Sequence, residues 1–469
     1  MALAGLVTHV SSTDARRSRV NPGDLSSAQR DSRRLGLAGL AVFSLPVLLF
    51  QAVELTWRAY LPVFLNQSVG VALTVVGALM LGVRVLDAVA DVAIGWISDN
   101  VVTRFGRRAP WMAAGALLVP IGALLLFLAP PGAELVRVIA ASVLLHVGYS
   151  FIVTPHGGWG LELSDDEEER TRIMGAKVWF GVFGSIAMLA TIGVLERSYG
   201  FGIRALATVF GTVIAIAAPV TILAVLAKFR ERPPERRKQV AKMSQPLPQL
   251  LAGMMRDPAL RRILFLYLLC GIADASTAST FLFLAEPVLG LTGQAATLLL
   301  IQPVMALFTL PLWAGLANRL GRRNVLTIGY AWQALTMPLA LVVPAGSTVL
   351  FGLFLALRGL TCGIEYMLLR AMVADVAEKG AANGARLSGT YYALSSVTLK
   401  LALGLGAGLG LFLIGLSGFE AGGSTGSGAS LAVRLAYVLP SVIAGLAGLL
   451  VSNRVGPVRS GLRKKPVYT

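Results

Sequence analysis

The chain has 469 residues, 55% of them hydrophobic and 14% charged, with a mean hydropathy of +0.72, whereas a soluble domain carries about a quarter charged residues; a water-soluble fold is excluded. The net charge of +17 is gathered into particular loops, which is how membrane orientation is written, so no nucleic-acid partner is expected. Cys270 and Cys362 both lie in apolar segments, which excludes a disulfide framework or a thiolate metal site.

Residues 1–35 are rich in Ser, Asp and Arg and lack the apolar core of a signal peptide, so they are expected to be a cytoplasmic tail. Apolar runs of the ~20 residues needed to cross hydrocarbon then recur along the chain. Their length and Gly/Pro punctuation predict helices near 36–65, 71–98, 110–130, 135–163, 172–195 and 203–227. A second set falls near 260–289, 294–317, 323–344, 347–376, 385–416 and 430–453. The fold class expected is an all-α membrane protein of twelve transmembrane helices in two pseudo-symmetric six-helix bundles, 36–227 and 260–453. Between them the basic, proline-rich stretch 228–259 is expected to be a cytoplasmic linker, and 454–469 a cytoplasmic C-terminal tail. One set of alternate loops carries Arg104, Arg107, Arg108, the linker, Arg319, Arg322, Arg323, Lys379 and Arg386; the other has Arg137, Arg197 and Arg204. The positive-inside rule then places both termini in the cytoplasm and the protein in the cell's inner (plasma) membrane.

Ionisable side chains at membrane depth cost ~3 kcal/mol or more, so each should face protein, a partner or water. In the first helix Glu54 and Arg58 are four residues apart and can neutralise each other. In the second, Arg84, Asp87 and Asp91 fall within roughly 60° on one helix face. Two carboxylates one turn apart repel unless a cation, a proton or a basic group sits between them. The set is therefore either an Arg–Asp–Asp network gluing helices together or a coupling-cation site. His146 and His156 in the fourth helix are weaker signals, since a lone membrane histidine commonly just hydrogen-bonds a neighbour. Asp274 lies in the seventh helix, and Arg358 and Glu365 share a face of the tenth, where structural pairing is expected. Lys400 in the eleventh needs a counter-charge, for which the acids of the other half are candidates, or it snorkels. The nearby "GLGAGLG" allows close helix approach.

The halves also echo each other, "GWISDNVVTRFGRRAPW" after the second helix and "GLANRLGRRNVL" after the eighth. Both resemble the cytoplasmic loop motif of the major facilitator superfamily, a conformational latch. The resemblance assigns that role to Asp99, Arg104, Gly106, Arg107, Arg108, Arg319, Gly321 and Arg322.

More specifically, "VRVLDAVADVAIGWISDNVVTRFGRRAPW" looks like the second helix and loop of the glycoside–pentoside–hexuronide:cation symporters, the melibiose permease-like branch of that superfamily. "LELSDDEEERTRIMG" and "ADVAEKGAANGARLSGTYYALSSVTLK" resemble two further stretches of the family, so the likeness touches both halves. It implies symport by alternating access, with Asp87 and Asp91 as ligands of Na⁺, Li⁺ or H⁺, Lys400 as their charge partner, and Lys177 facing the central cavity. It also implies a monomer whose partners are a small solute, a cation and the lipid bilayer, with no cofactor. The sugar-holding acids of melibiose permease correspond here to Gln51 and Val153, and its tryptophan to Gly157. Trp159, Gln51, Glu54 and Arg58 are candidates for another pocket. Ala90 stands where the family can offer an Asn oxygen, which weakens the case for a Na⁺ cage, and Ser150 is a candidate replacement ligand. The function expected is Na⁺- or H⁺-coupled symport of a small organic solute, foremost a sugar or glycoside. Alternatives are proton-coupled movement of a lipid-like or drug-like amphiphile, or a non-transporting sensor on the same fold. No nucleophile–base pair, phosphate-cradling loop or metal-ligand cluster suggests an enzyme.

Overall fold

The computed structural model describes residues 34–101, 103–164, 167–231, 252–382, 388–419 and 427–454. Most of the two tails, most of the linker, and Asp165, Asp166 and Arg386 lie outside the described residues. Twelve helices among the described residues are long and apolar enough to cross a membrane. Every backbone group in hydrocarbon must be bonded internally, and Leu-, Ala- and Val-rich runs of this length do so as helices. The first six are α1 (Leu37–Val69), α2 (Leu73–Asn100), α3 (Ala109–Phe127), α4 (Leu135–Glu162), α5 (Glu167–Tyr199) and α6 (Ile203–Lys228). The last six are α7 (Pro258–Val288), α8 (Ala295–Leu320), α9 (Arg322–Val342), α10 (Thr348–Ala377), α11 (Ser388–Leu416) and α12 (Ser427–Ser452).

The halves meet where glycines remove side-chain bulk. α2 and α11 cross so closely that a Cβ on Gly77 would lie 2.9 Å from the Gly408 carbonyl oxygen. Gly404 of α11 packs on the stem of Arg84, while Gly406 and Gly410 face Ile272 and Ser276 of α7. The "GLGAGLG" run thus wedges one helix against both halves. At the end of the molecule away from the Gly-Arg-Arg loops, the Glu196 carboxylate of α5 accepts from the Ala296 N–H at the start of α8, 3.1 Å away.

Two helices depart from regularity. α1 carries π turns at Thr56–Tyr60 and Phe64–Val69, the first containing Arg58. α10 breaks into Thr348–Gly359 and Ile364–Ala382, with Gly363 at φ 82°. Two indoles brace the break: Trp313 Nε1 donates to the Leu360 carbonyl at 2.7 Å, and Trp332 Nε1 to the Leu357 carbonyl at 2.8 Å. The break also corrects the expected Arg358–Glu365 pairing. Seven residues share a face only along an unbroken helix, and no ion pair joins the two side chains.

Candidate functional site

The charged side chains of α1, α2, α4, α7 and α11 form three neighbouring groups. Arg84 grips Glu54 with both guanidinium ends, Nη2–Oε2 at 2.7 Å and Nη1–Oε1 at 3.2 Å, and Nη1 also lies 3.3 Å from Asp87 Oδ2. His146 Nδ1 sits 3.1 and 3.0 Å from the two Asp87 oxygens. Asp87 is therefore sealed, its side chain 2% exposed, and its neighbours neutralise a charge that would be costly alone. Asp91, one turn on, is held differently: Thr154 donates to Oδ1 at 3.1 Å, and Lys400 of the second half ion-pairs with Oδ2. Asp91 and Lys400 are 25% and 23% exposed, far less enclosed than Asp87. The two acids do not share one basic group; each has its own.

The expected Glu54–Arg58 pair is not formed. A π turn interrupts the helix between them, and each finds a partner on another helix: Glu54 on Arg84, and Arg58 on Asp274 of α7, Nη2–Oδ2 at 2.5 Å. The Tyr366 hydroxyl of α10 donates to the same Asp274 oxygen at 2.6 Å. Arg58 and Asp274 line a cavity of about 250 Å³ between the halves, shared with Gln51, Glu54, Ser185, Thr277 and Gln302. Ser185 donates to Gln51 Oε1 at 2.9 Å.

Three predicted residues lie elsewhere. Trp159 does not line this cavity; it is 3% exposed and packs edge-on against Phe43, because an indole gains more from an aromatic core than from water. Lys177 sits beside His156, Nζ to Nδ1 at 3.3 Å, with the Phe43 ring centroid 5.9 Å away. Ser150 is buried, and its hydroxyl contacts neither Asp87 nor Asp91 and has no hydrogen-bond partner among the described residues.

The two Gly-Arg-Arg loops are each tied within their own half. Arg107 and Arg108 reach Glu162 at the end of α4, at 2.5 and 2.8 Å. Arg322 makes the equivalent pair with Asp375, near the end of α10. Gly106, at φ 114°, faces the Glu231 carboxylate, which accepts from the N–H groups of Arg107, Arg108 and Ala109 at 2.7, 2.7 and 2.5 Å. An acid thereby caps the start of α3, where the helix dipole favours negative charge. Arg104 stacks on Phe105, and Arg319 is exposed beside Gly321, which turns the chain at φ 87°. The side chain of Asp99 lies outside those described.

His146, Thr154, Asp274, Tyr366 and Glu231 are the site residues that sequence reasoning left without a role. His146, Ser150 and Thr154 recur every fourth residue along α4, a polar stripe in an apolar helix that identifies the face turned to α2. The Arg58–Asp274 and Lys400–Asp91 pairs join residues more than 200 positions apart, and local spacing carries no sign of the first.

Residues 42–454 match the family described as MFS/sugar transport protein. The glucuronide carrier protein homolog of Escherichia coli (strain K12) is 26% identical, the match covering 75% of this chain and 78% of the relative. The isoprimeverose transporter of Lactiplantibacillus pentosus is 24% identical over 83% of this chain and 82% of its own. A crystal structure of a D-xylose-proton symporter shares the fold with a TM-score of 0.67 at 14% identity, over 90% of this chain and 98% of that one. Twelve spans, a repeated Gly-Arg-Arg loop, ion pairs joining two halves and a family match over nearly the whole chain lead to one assignment: the chain belongs to the MFS/sugar transport protein family, among its glycoside–pentoside–hexuronide:cation symporters.

Proposed function

We propose that this multi-pass membrane transporter carries a sugar together with one proton, into the cell, by rocking its two halves about the central cavity. The observation that carries the reading is the Asp91–Lys400 pair, which joins the halves, is only partly buried and can be broken and remade as a cation arrives. The charges support it: Asp91 and Asp274 each pair with a cation of their own, Lys400 and Arg58, whereas Glu54 and Asp87 share the single guanidinium of Arg84, so a further positive charge is favoured beside them. A hard metal ion needs several oxygen ligands, and the oxygens of both second-helix acids are already engaged, so the proton is favoured over Na⁺.

In this reading Asp87, Asp91 and Lys400 couple ion to solute, Gln51, Glu54 and Arg58 form part of the solute cavity, and the Gly-Arg-Arg loops latch the cytoplasmic face. The helices 36–227 and 260–453 are the two rocking bodies, both termini are cytoplasmic, and the monomer is the working unit in the inner membrane. The relatives carry names of sugar and glucuronide transporters, and the polar lining of the cavity suits hydroxyls better than a lipid tail. Uptake into proteoliposomes tests it: an inward proton gradient is expected to drive sugar accumulation that an inward Na⁺ gradient does not. Asp91→Asn is expected to abolish that accumulation. Accumulation at the parental level in this variant removes Asp91 from coupling.

A further inference from the structure

We infer that Asp274 is the carboxylate that recognises the hydroxyls of an uncharged sugar, with Arg58 binding beside it and Tyr366 positioning it. This rests on the sugar-symport reading above and names where, and for what class of sugar, recognition takes place.

Two carboxylates line the cavity between the halves, Glu54 and Asp274. They are not equivalent. Each oxygen of Glu54 takes one nitrogen of the Arg84 fork, so neither is free of a donor. Asp274 receives both of its donors, Arg58 Nη2 and the Tyr366 hydroxyl, on the single oxygen Oδ2. Two donors from two helices on one oxygen fix the plane of the carboxylate, and Oδ1 keeps its lone pairs for another donor. The side chain is 37% exposed, so the free oxygen is within a ligand's reach.

A sugar hydroxyl both donates and accepts. Asp274 Oδ1 supplies the acceptor, and the N–H groups that Arg58 does not spend on Oδ2 supply a donor beside it. The arrangement suits adjacent hydroxyls of a neutral sugar. A carboxylated sugar would bring another negative charge beside Asp274 and beside Glu54, which already shares Arg84 with Asp87. Arg58 stands on α1 and Asp274 and Tyr366 on α7 and α10, so the ligand would be gripped from both halves at once.

Transport kinetics in proteoliposomes test this, using tritiated neutral pentoses, hexoses and methyl glycosides, with hexuronates as the acidic arm. The parent is expected to prefer a neutral sugar. Asp274→Asn should raise its KM by about tenfold or more, the loss expected when one hydrogen bond to a charged group is weakened, while the maximal rate changes less than about twofold. Tyr366→Phe should raise KM by about threefold with the same dependence on the ion gradient, because the carboxylate remains but loses one of its two fixing donors. If Asp274→Asn does not yield a monodisperse protein, Tyr366→Phe decides alone. Parental KM in the folded variants overturns the inference, and so does a preference for hexuronates over every neutral sugar. Lost accumulation at unchanged KM also overturns it, since it would make the pair a coupling element. A parent that accumulates no sugar under any gradient removes the symport reading itself and this inference with it, an outcome distinct from parental KM in the variants.

Discussion

At the scale of single residues, the two acids of α2 divide their labour by exposure. Asp87 is enclosed by Arg84 and His146, whereas Asp91 and its partner Lys400 are about a quarter exposed. Removing one member of an ion pair strands the other, and removing both does not. Lys400→Ala is therefore expected to lower the melting temperature more than the double variant Asp91→Asn/Lys400→Ala, by a margin worth about 1 kcal/mol once solvent screening at a quarter-exposed site is allowed for. Thermal melts in detergent of parent, single and double variants measure it; equal losses would mean the pair is not energetically coupled. Arg84, Asp87, Asp91 and Lys400 were legible in the sequence because charge in an apolar run is conspicuous. The partners Thr154 and Tyr366 were not, since a hydroxyl in a membrane helix commonly bonds its own backbone, as Thr221 does to the Ala217 carbonyl.

At the scale of helices, apolar length located all twelve spans to within a few residues, because the thickness of hydrocarbon sets that length. Departures from regular helix were not legible. "LRGLTCGIE" contains no proline, so a continuous tenth helix was the natural reading, and the Arg358–Glu365 pairing failed with it. Glycine spacing was more informative: "GLGAGLG" announced a close approach, and Gly408 meets Gly77. Gly77→Val is expected to cost about 1–3 kcal/mol by overpacking, since its side chain meets backbone that cannot yield. It should also separate α2 from α11 and raise the reactivity of a cysteine placed at Thr74, which packs under Gly415. Unchanged stability and labelling would show that the crossing is looser than the structure has it.

At the scale of the whole molecule, the halves are joined at the end away from the Gly-Arg-Arg loops, where Glu196 caps α8 across the boundary. An acid at a helix start contributes about 0.3–1 kcal/mol, and up to ~2 kcal/mol when partly buried. Glu196→Gln is expected to shift the balance toward molecules open at that end by up to about tenfold. Spin-label distances between the ends of α5 and α8 report the shift, and an unchanged distance distribution would show that Glu196 does not hold the gate. The interruption in α10 bears on such rearrangements. Where the spiral of backbone bonds lapses, the carbonyls of Leu357 and Leu360 would face oil unmet, and the indoles of Trp332 and Trp313 meet them. A rod splinted by side chains from its neighbours bends at its splint, so the stretch bearing Tyr366 is free to tilt apart from the stretch before it without baring its backbone to lipid.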